Sequence, residues 1–242
     1  NGRPWAPKWL VDGIGVDYFG HVTQVTFVER GSDAELVHVG SFGRIERLIL
    51  SGSAVTDAGL ADLKNLTRLQ SLNLQGTKVT DAGLAHLGGL TSLQRLYLHN
   101  TQVIGTGLVH LKRLTDLQVL NVNNTPVNDT GLGYLAKATS LRELCLLGTQ
   151  VTDAGLEHLD GLHKLKVLDV PYTAVTDAGL EQLTNLPNLL DMRLDHTAIS
   201  DGGLDKLKRL PLLQQLTLGE TKVTDAGVRG LKEALPKLRI SR

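Results

Sequence analysis

Cysteine is nearly absent. The 242-residue chain has one, Cys145, so no internal disulfide can form and the cysteine-rich end caps of many secreted solenoids are excluded. Aromatic residues are scarce as well, at 4% against 41% hydrophobic residues overall, which leaves Leu, Val and Ala to fill the interior. Neither sign of charge is in excess: 25 basic and 25 acidic residues give a formal net charge of zero, so neither a phosphate-binding surface nor a polybasic membrane anchor is expected. Nucleic acid is set aside as a partner on that ground. No run of about 20 apolar residues occurs, so no direct membrane insertion is expected from this segment. The chain begins at Asn1 rather than Met, which leaves room for a leader or anchor removed upstream and keeps the compartment open, an extracytoplasmic one included.

What remains is repetition. The phrase Thr77-Lys78-Val79-Thr80-Asp81-Ala82-Gly83-Leu84, in general form TxVTDAGL, returns with its first residue at Ser53, Thr77, Thr101, Thr125, Thr149, Thr173, Thr197 and Thr221, a step of 24 residues each time. A fixed period of about 20 to 50 residues is the signature of a solenoid, whose units bury their apolar faces by stacking on neighbours. One elongated domain over residues 1–242 follows, with no linker. Residues 1–21 do not repeat. Trp5, Trp9, Tyr18 and Phe19 lie there, and with Phe27 and Phe42 they make six of the nine aromatics (Trp 2, Tyr 4, Phe 3). Rings at the start of an array suit a cap over its open apolar end, with an aromatic docking site as the competing reading. Val22-x-x-Val25-x-Phe27, completed by Asp33, Leu36, Val39 and Phe42, is a disguised first unit whose loop is one residue shorter. Residues 22–235 are read as repeats, and 236–242 as a C-terminal cap made polar by Arg239, Ser241 and Arg242.

Each later unit runs LxxLxLxxTxV and then TDAGLxxLxxLxxL. Leu72 and Leu74 alternate with the period of a short strand buried on one side, whereas Leu84 and Leu87 after Asp81 suit a helical turn. Thr80 or Asp81 is placed to cap that turn. On these residues the chain resembles the leucine-rich repeat proteins, over about residues 22–240. The resemblance implies an α/β solenoid bent into a horseshoe or arc, with a parallel β-sheet on the concave face and short helices on the convex face. The TDAGLxxL half is similar to the 24-residue type of bacterial leucine-rich repeat proteins and to the cysteine-containing subclass of F-box proteins. Thr rather than Asn or Cys holds the turn position and no F-box precedes the array, so a role in ubiquitin transfer is not carried over.

The recurring columns have structural explanations. Thr77 and its equivalents are expected to satisfy loop amides, forming a hydrogen-bond ladder. Gly59, Gly83, Gly107, Gly131, Gly155, Gly179, Gly203 and Gly227 mark a place where a neighbouring unit passes too close for a Cβ. Glu35 holds that place in the first unit, so its surroundings are expected to be looser. The Asp column, from Asp57 to Asp225, opens the helices, where free amides and the dipole stabilise a carboxylate; a calcium ladder is the weaker reading. Ile104-Gly105 replaces Thr-Asp in one unit, and restoring that pair is expected to raise the melting temperature. His86, His110 and His158 share a convex position and are read as surface residues, with no metal site.

Function is expected on the concave face, where strand residues that flank the inward leucines are free to vary. Neighbouring strands lie about 4.8 Å apart, so these residues form a continuous strip. Its partly apolar centre is Tyr97, Asn121, Asn123, Cys145, Leu147 and Tyr172, and Glu143, Asp169, Asp191 and Asp195 make it acidic toward the C-terminal side, offset by Arg193. Exposed Tyr and Leu beside polar groups resemble the anchors of protein interfaces. The candidate partner-binding residues are Arg95, Tyr97, Asn121, Asn123, Glu143, Leu147, Asp169, Tyr172, Arg193 and Asp195. Asp169 and Arg193 are also lateral neighbours able simply to pair in solvent. Pro171 lacks an amide for the strand ladder, so the sheet edge is expected to be notched there, bringing Tyr172 forward.

Catalysis finds little footing. The histidines nearest Cys145 as bases, His99 and His196, lie two units away, about 10 Å, beyond the reach of a nucleophile and its base. No GxSxG, phosphate loop, HExxH or CxxC pair occurs. The acidic strip is the one remaining candidate, and an open concave surface does not exclude water as a catalytic pocket does. The chain therefore reads as a non-enzymatic protein-protein interaction module for a protein or peptide partner, without cofactor; the alternative is a structural spacer or surface element with no tight ligand.

Overall fold

The computed structural model describes residues 22–27 and 31–242, and in it each repeat contributes one three-residue strand centred on the first apolar residue of its LxL segment. These are β1 (Gln24–Thr26), β2 (Arg47–Ile49), β3 (Ser71–Asn73), β4 (Arg95–Tyr97), β5 (Val119–Asn121), β6 (Glu143–Cys145), β7 (Val167–Asp169), β8 (Asp191–Arg193), β9 (Gln215–Thr217) and β10 (Arg239–Ser241). They form one open parallel sheet in chain order. Ser71 lies opposite Arg95 and Leu72 opposite Leu96, so the register advances one unit per strand. Gln24 lies opposite Arg47, which confirms the disguised first unit and its shorter loop. The expected α/β leucine-rich repeat solenoid, with its sheet on the concave side, is the observed architecture.

Each strand turns its central residue inward, as period two requires: Leu48, Leu72, Leu96, Leu120, Leu144, Leu168, Met192 and Leu216 are all buried. A fully buried Leu is worth about 1.5–3 kcal/mol, against about 0.5–1.5 kcal/mol net for a hydrogen bond. Residue for residue, the leucine stack therefore contributes more to holding the units together than the short ladder does.

The return limbs are short helices. They are α1 (Asp33–Val39), α2 (Asp57–Leu60), α3 (Asp81–Leu84), α4 (Asp129–Gly133), α5 (Asp153–Leu156), α6 (Asp177–Gln182), α7 (Asp201–Leu207) and α8 (Asp225–Ala234). Several run on as 3-10 turns, such as Ala61–Asn65 and Ala85–Leu87. The cap is the Thr of the TDAGL phrase: Thr80 Oγ1 accepts from Ala82 N at 3.2 Å, and Thr56, Thr152 and Thr176 do the same in their units.

The following Asp looks forward instead. Asp57 Oδ1 accepts from Thr80 N at 2.8 Å and its Oδ2 from Thr80 Oγ1 at 2.6 Å, one unit on. Asp33, Asp129, Asp153, Asp177 and Asp201 repeat this two-bond clamp on Thr56, Thr152, Thr176, Ser200 and Thr224. Stabilising the Asp's own helix is thus only part of its role. The same carboxylate explains the glycines, since a Cβ on Gly83 would collide with Asp57 Oδ1 and come within 3.0 Å of Leu60 Cδ1.

The Thr77 column behaves otherwise than expected. Thr77 Oγ1 donates to Leu74 O at 2.7 Å, and Ser53, Thr101, Thr125, Thr149, Thr173, Thr197 and Thr221 each donate to the carbonyl three residues back. These hydroxyls satisfy strand carbonyls within their own unit and do not bridge units, because the chain bends back at that residue and brings its own carbonyl nearest.

One unit departs from the pattern. With Ile104-Gly105 in place of Thr-Asp, the Asp81 clamp slips one residue, to Gly105 N at 3.2 Å and Thr106 Oγ1 at 2.7 Å, and the limb Thr106–Arg113 is wholly 3-10 with no side-chain cap. The expected gain from restoring Thr-Asp is overturned by the backbone: Gly105 has φ 110°, and a Cβ there would lie 2.9 Å from Gly131 Cα. At Glu35 the carboxylate closes on its own cap, accepting from Ser32 N at 2.9 Å, and those bonds hold it below the usual carboxylate range. Trp5, Trp9, Tyr18 and Phe19 lie outside the described residues.

Candidate interaction face

The strand residues on either side of each inward Leu stay at least partly exposed over most of the sheet, Tyr97, Asn121 and Glu143 among them, and so does Leu147 just beyond β6. Arg193 and Tyr172 are exposed. Cys145 and Asp169 are not: 4% and 6% of their surfaces are accessible, so the solvent-exposed Asp169–Arg193 pair is corrected to a half-buried one. Each lies between lateral neighbours at strand spacing, Asn121 and Asp169 for Cys145, Cys145 and Arg193 for Asp169.

Arg193 Nη1 approaches Asp169 Oδ2 at 3.4 Å and Arg193 Nη2 approaches Asp191 Oδ2 at 3.9 Å, both long for ion pairs. Asp169 Oδ1 is buried without a partner. Burial raises the Asp169 pKa; Arg193 and, less strongly, the neighbouring Cys145 thiol oppose this, while Asp191 and Glu143 add to it. Burial, then Asp169 and Glu143, pushes the Cys145 thiol far above the ordinary thiol range, and its Sγ lies 3.6 Å from Glu143 Oε1. It is thereby kept as a thiol, the opposite of an activated nucleophile.

Three predicted site residues have structural work to do. Asn121 Oδ1 accepts from Asn123 N at 3.0 Å, and Asn123 Oδ1 from Leu147 N at 2.8 Å in the next unit. Asp195 Oδ1 accepts from Gly219 N at 2.8 Å and its Oδ2 from the Thr217 hydroxyl. These bonds explain why Pro171 makes no notch. At its place in the unit, the amides of Gln75, Asn123, Leu147 and Gly219 bond to side chains, so the ladder never uses an amide there. The ladder passes over it, through Gly148 N to Pro171 O at 2.9 Å and Tyr172 N to Asp195 O at 3.0 Å.

What brings Tyr172 forward is the next position. Residues Gly52, Gly76, Asn100, Asn124, Gly148, Tyr172, His196 and Glu220 all have φ between 53° and 69°. Tyr172 is 56% exposed, and its ring stacks on His196 with centroids 4.0 Å apart at 19°. Sequence reasoning treated His196 only as a distant base and missed this pair. The signal was present: three consecutive units carry large side chains where earlier ones carry Gly or Asn. Arg95 stands apart from the strip and, with Arg47, Gln70 and Ser71, lines a depression of about 220 Å³ near the start of the sheet. On the convex side His86 is half-buried and His110 and His158 are exposed. Among the described residues no group of three or more His, Cys, Asp or Glu is arranged to hold a metal, and no helix is long and apolar enough to cross a membrane.

The Leucine Rich repeat family pattern matches residues 65–88, one full unit of this array. The chain has the fold of a leucine-rich repeat solenoid. Among solved structures the chain is similar to internalin C2 of Listeria monocytogenes, with 27% identity and a TM-score of 0.63 over 77% of this chain and 76% of that one. It is also similar in fold to a plant peptide hormone receptor, RGFR1, solved in complex with RGF2, at 17% identity and a TM-score of 0.60. That alignment covers 85% of this chain and 33% of the receptor chain. No curated protein matches the chain. None of these likenesses indicates an enzyme family.

Proposed function

We propose that the protein is a non-enzymatic interaction module that binds a protein or peptide along its concave sheet face. Tyr97, Leu147, Asp169, Tyr172 and Arg193 form the contact strip, framed by Asn121, Asn123, Glu143 and Asp195, with Arg95 at its N-terminal margin. The observation that carries this reading is the Tyr172–His196 stack. A left-handed backbone costs a residue with a Cβ about 1–2 kcal/mol, and glycine escapes that cost. Three units use glycine there, whereas Tyr172 and His196 hold large rings toward solvent. Strain retained in an exposed side chain with no core to fill supports a use outside the fold. The 24-residue advance of the register from β2 onward, as from Ser71 to Arg95, supports placing the units with the bacterial TxVTDAGL type.

The test is selection of displayed random peptides on the full chain. Convergence on a motif whose binding is lost with Tyr172→Gly and with Tyr97→Ala is expected. A selection that yields no motif, or one indifferent to both changes, rejects the proposal in favour of a spacer.

A further inference from the structure

We infer that the C-terminal half of the concave face accepts a basic side chain, a lysine or arginine of the partner, between Glu143, Asp169 and Asp191. This rests on the binding role proposed above and adds the chemistry of the occupant.

Three carboxylates lie on the adjacent strands β6, β7 and β8, with Asp169 in the middle strand and Glu143 and Asp191 two residues back along the strands on either side. One cation answers them. Arg193 reaches Asp169 Oδ2 and Asp191 Oδ2 only at 3.4 and 3.9 Å, so three negative charges against one positive leave an excess of two. The Asp169 side chain is 9% exposed, and its Oδ1 is buried without any donor. A buried carboxylate oxygen left without a hydrogen bond is unfavourable, and an ammonium or guanidinium supplies both the missing donor and the missing charge. Arg193, itself 51% exposed, is free to shift aside as the newcomer enters.

The surroundings fit the same occupant. Tyr172 and His196 follow Asp169 and Arg193 by three residues in the same two units, about 10 Å along an extended chain. Their stacked rings offer a π surface to the stem or head of a basic side chain. A bare metal ion fits poorly, because hard cations take about six to eight oxygens and no such group exists among the described residues.

The same peptide selection on the full chain reads this out separately. Selected motifs are expected to contain Lys or Arg, and replacing that residue by norleucine or citrulline is expected to weaken binding about tenfold or more. With Asp169→Asn the discrimination between the two peptides should collapse, whereas Glu157→Gln on the convex side should leave it intact. Motifs without a basic residue that still require Tyr172 would overturn this inference and leave the binding role standing. Equal binding of the two peptides to the parent chain would overturn it as well. Failure to obtain any motif would overturn both.

Discussion

Two kinds of junction hold this array together, and the difference between them shows what the repeated phrase is for. At a regular junction, such as that between the units of Asp153 and Thr176, a carboxylate takes two hydrogen bonds from the next cap and lies over the next glycine. Between the units of Gly105 and Asn128 there is no carboxylate at all. Gly105 and Gly131 approach so closely that a Cβ on Gly131 would sit 3.0 Å from Gly105 Cα, and Asn128 turns its side chain to its own helix. The clamp and the glycine are therefore one device. Where Asp is lost, backbone moves into the space that its carboxylate fills elsewhere.

The sharpest way to break a regular junction is Gly179→Val. Its branched side chain would be driven into Asp153 and Leu156, and a loss of about 3 kcal/mol is expected in urea unfolding. Next comes the irregular junction: the double change Ile104→Thr with Gly105→Asp should lower stability by about 1–3 kcal/mol, because a Cβ at φ 110° meets Gly131. A rise in melting temperature would show that the local backbone reverts easily to the regular form. Asp153→Ala should cost about 1–3 kcal/mol by stripping Thr176 of both acceptors, and hydrogen exchange at Thr176 should then approach that at Asn128.

The smallest effect is expected on the sheet face. Asp169 has its folded pKa above its unfolded value of about 3.9, so the native state holds the proton more readily and the charged form is the disfavoured one. Its destabilising effect is absent below the unfolded value and grows as pH rises through the folded one. Asp169→Asn should therefore be more stable than the parent at pH 7, with the gap closing toward pH 4, as followed by thermal unfolding. An equal gap at both pH values would remove the burial argument.

Strand, turn and helix could be read directly from the chain because a residue's place in the period dictates its environment. Leu72 must face inward whatever its neighbours do. The Gly column was likewise readable as a close approach. What it approaches was hidden, since Asp57 and Gly83 lie in different units and meet only when these stack. The same holds for Pro171, whose lack of an amide looked damaging until the ladder was seen to skip that position in every unit.

By itself the sequence determined the unit, its period, the inward leucines and the side of the sheet left free to vary, since each follows from spacing along one chain. Lateral relations were settled only in the tertiary structure: the burial of Asp169, the open oxygen it leaves, and the stacking of Tyr172 on His196. Those depend on how tightly adjacent strands crowd one another and on which backbone angles the turn imposes, and neither quantity is carried by any single repeat.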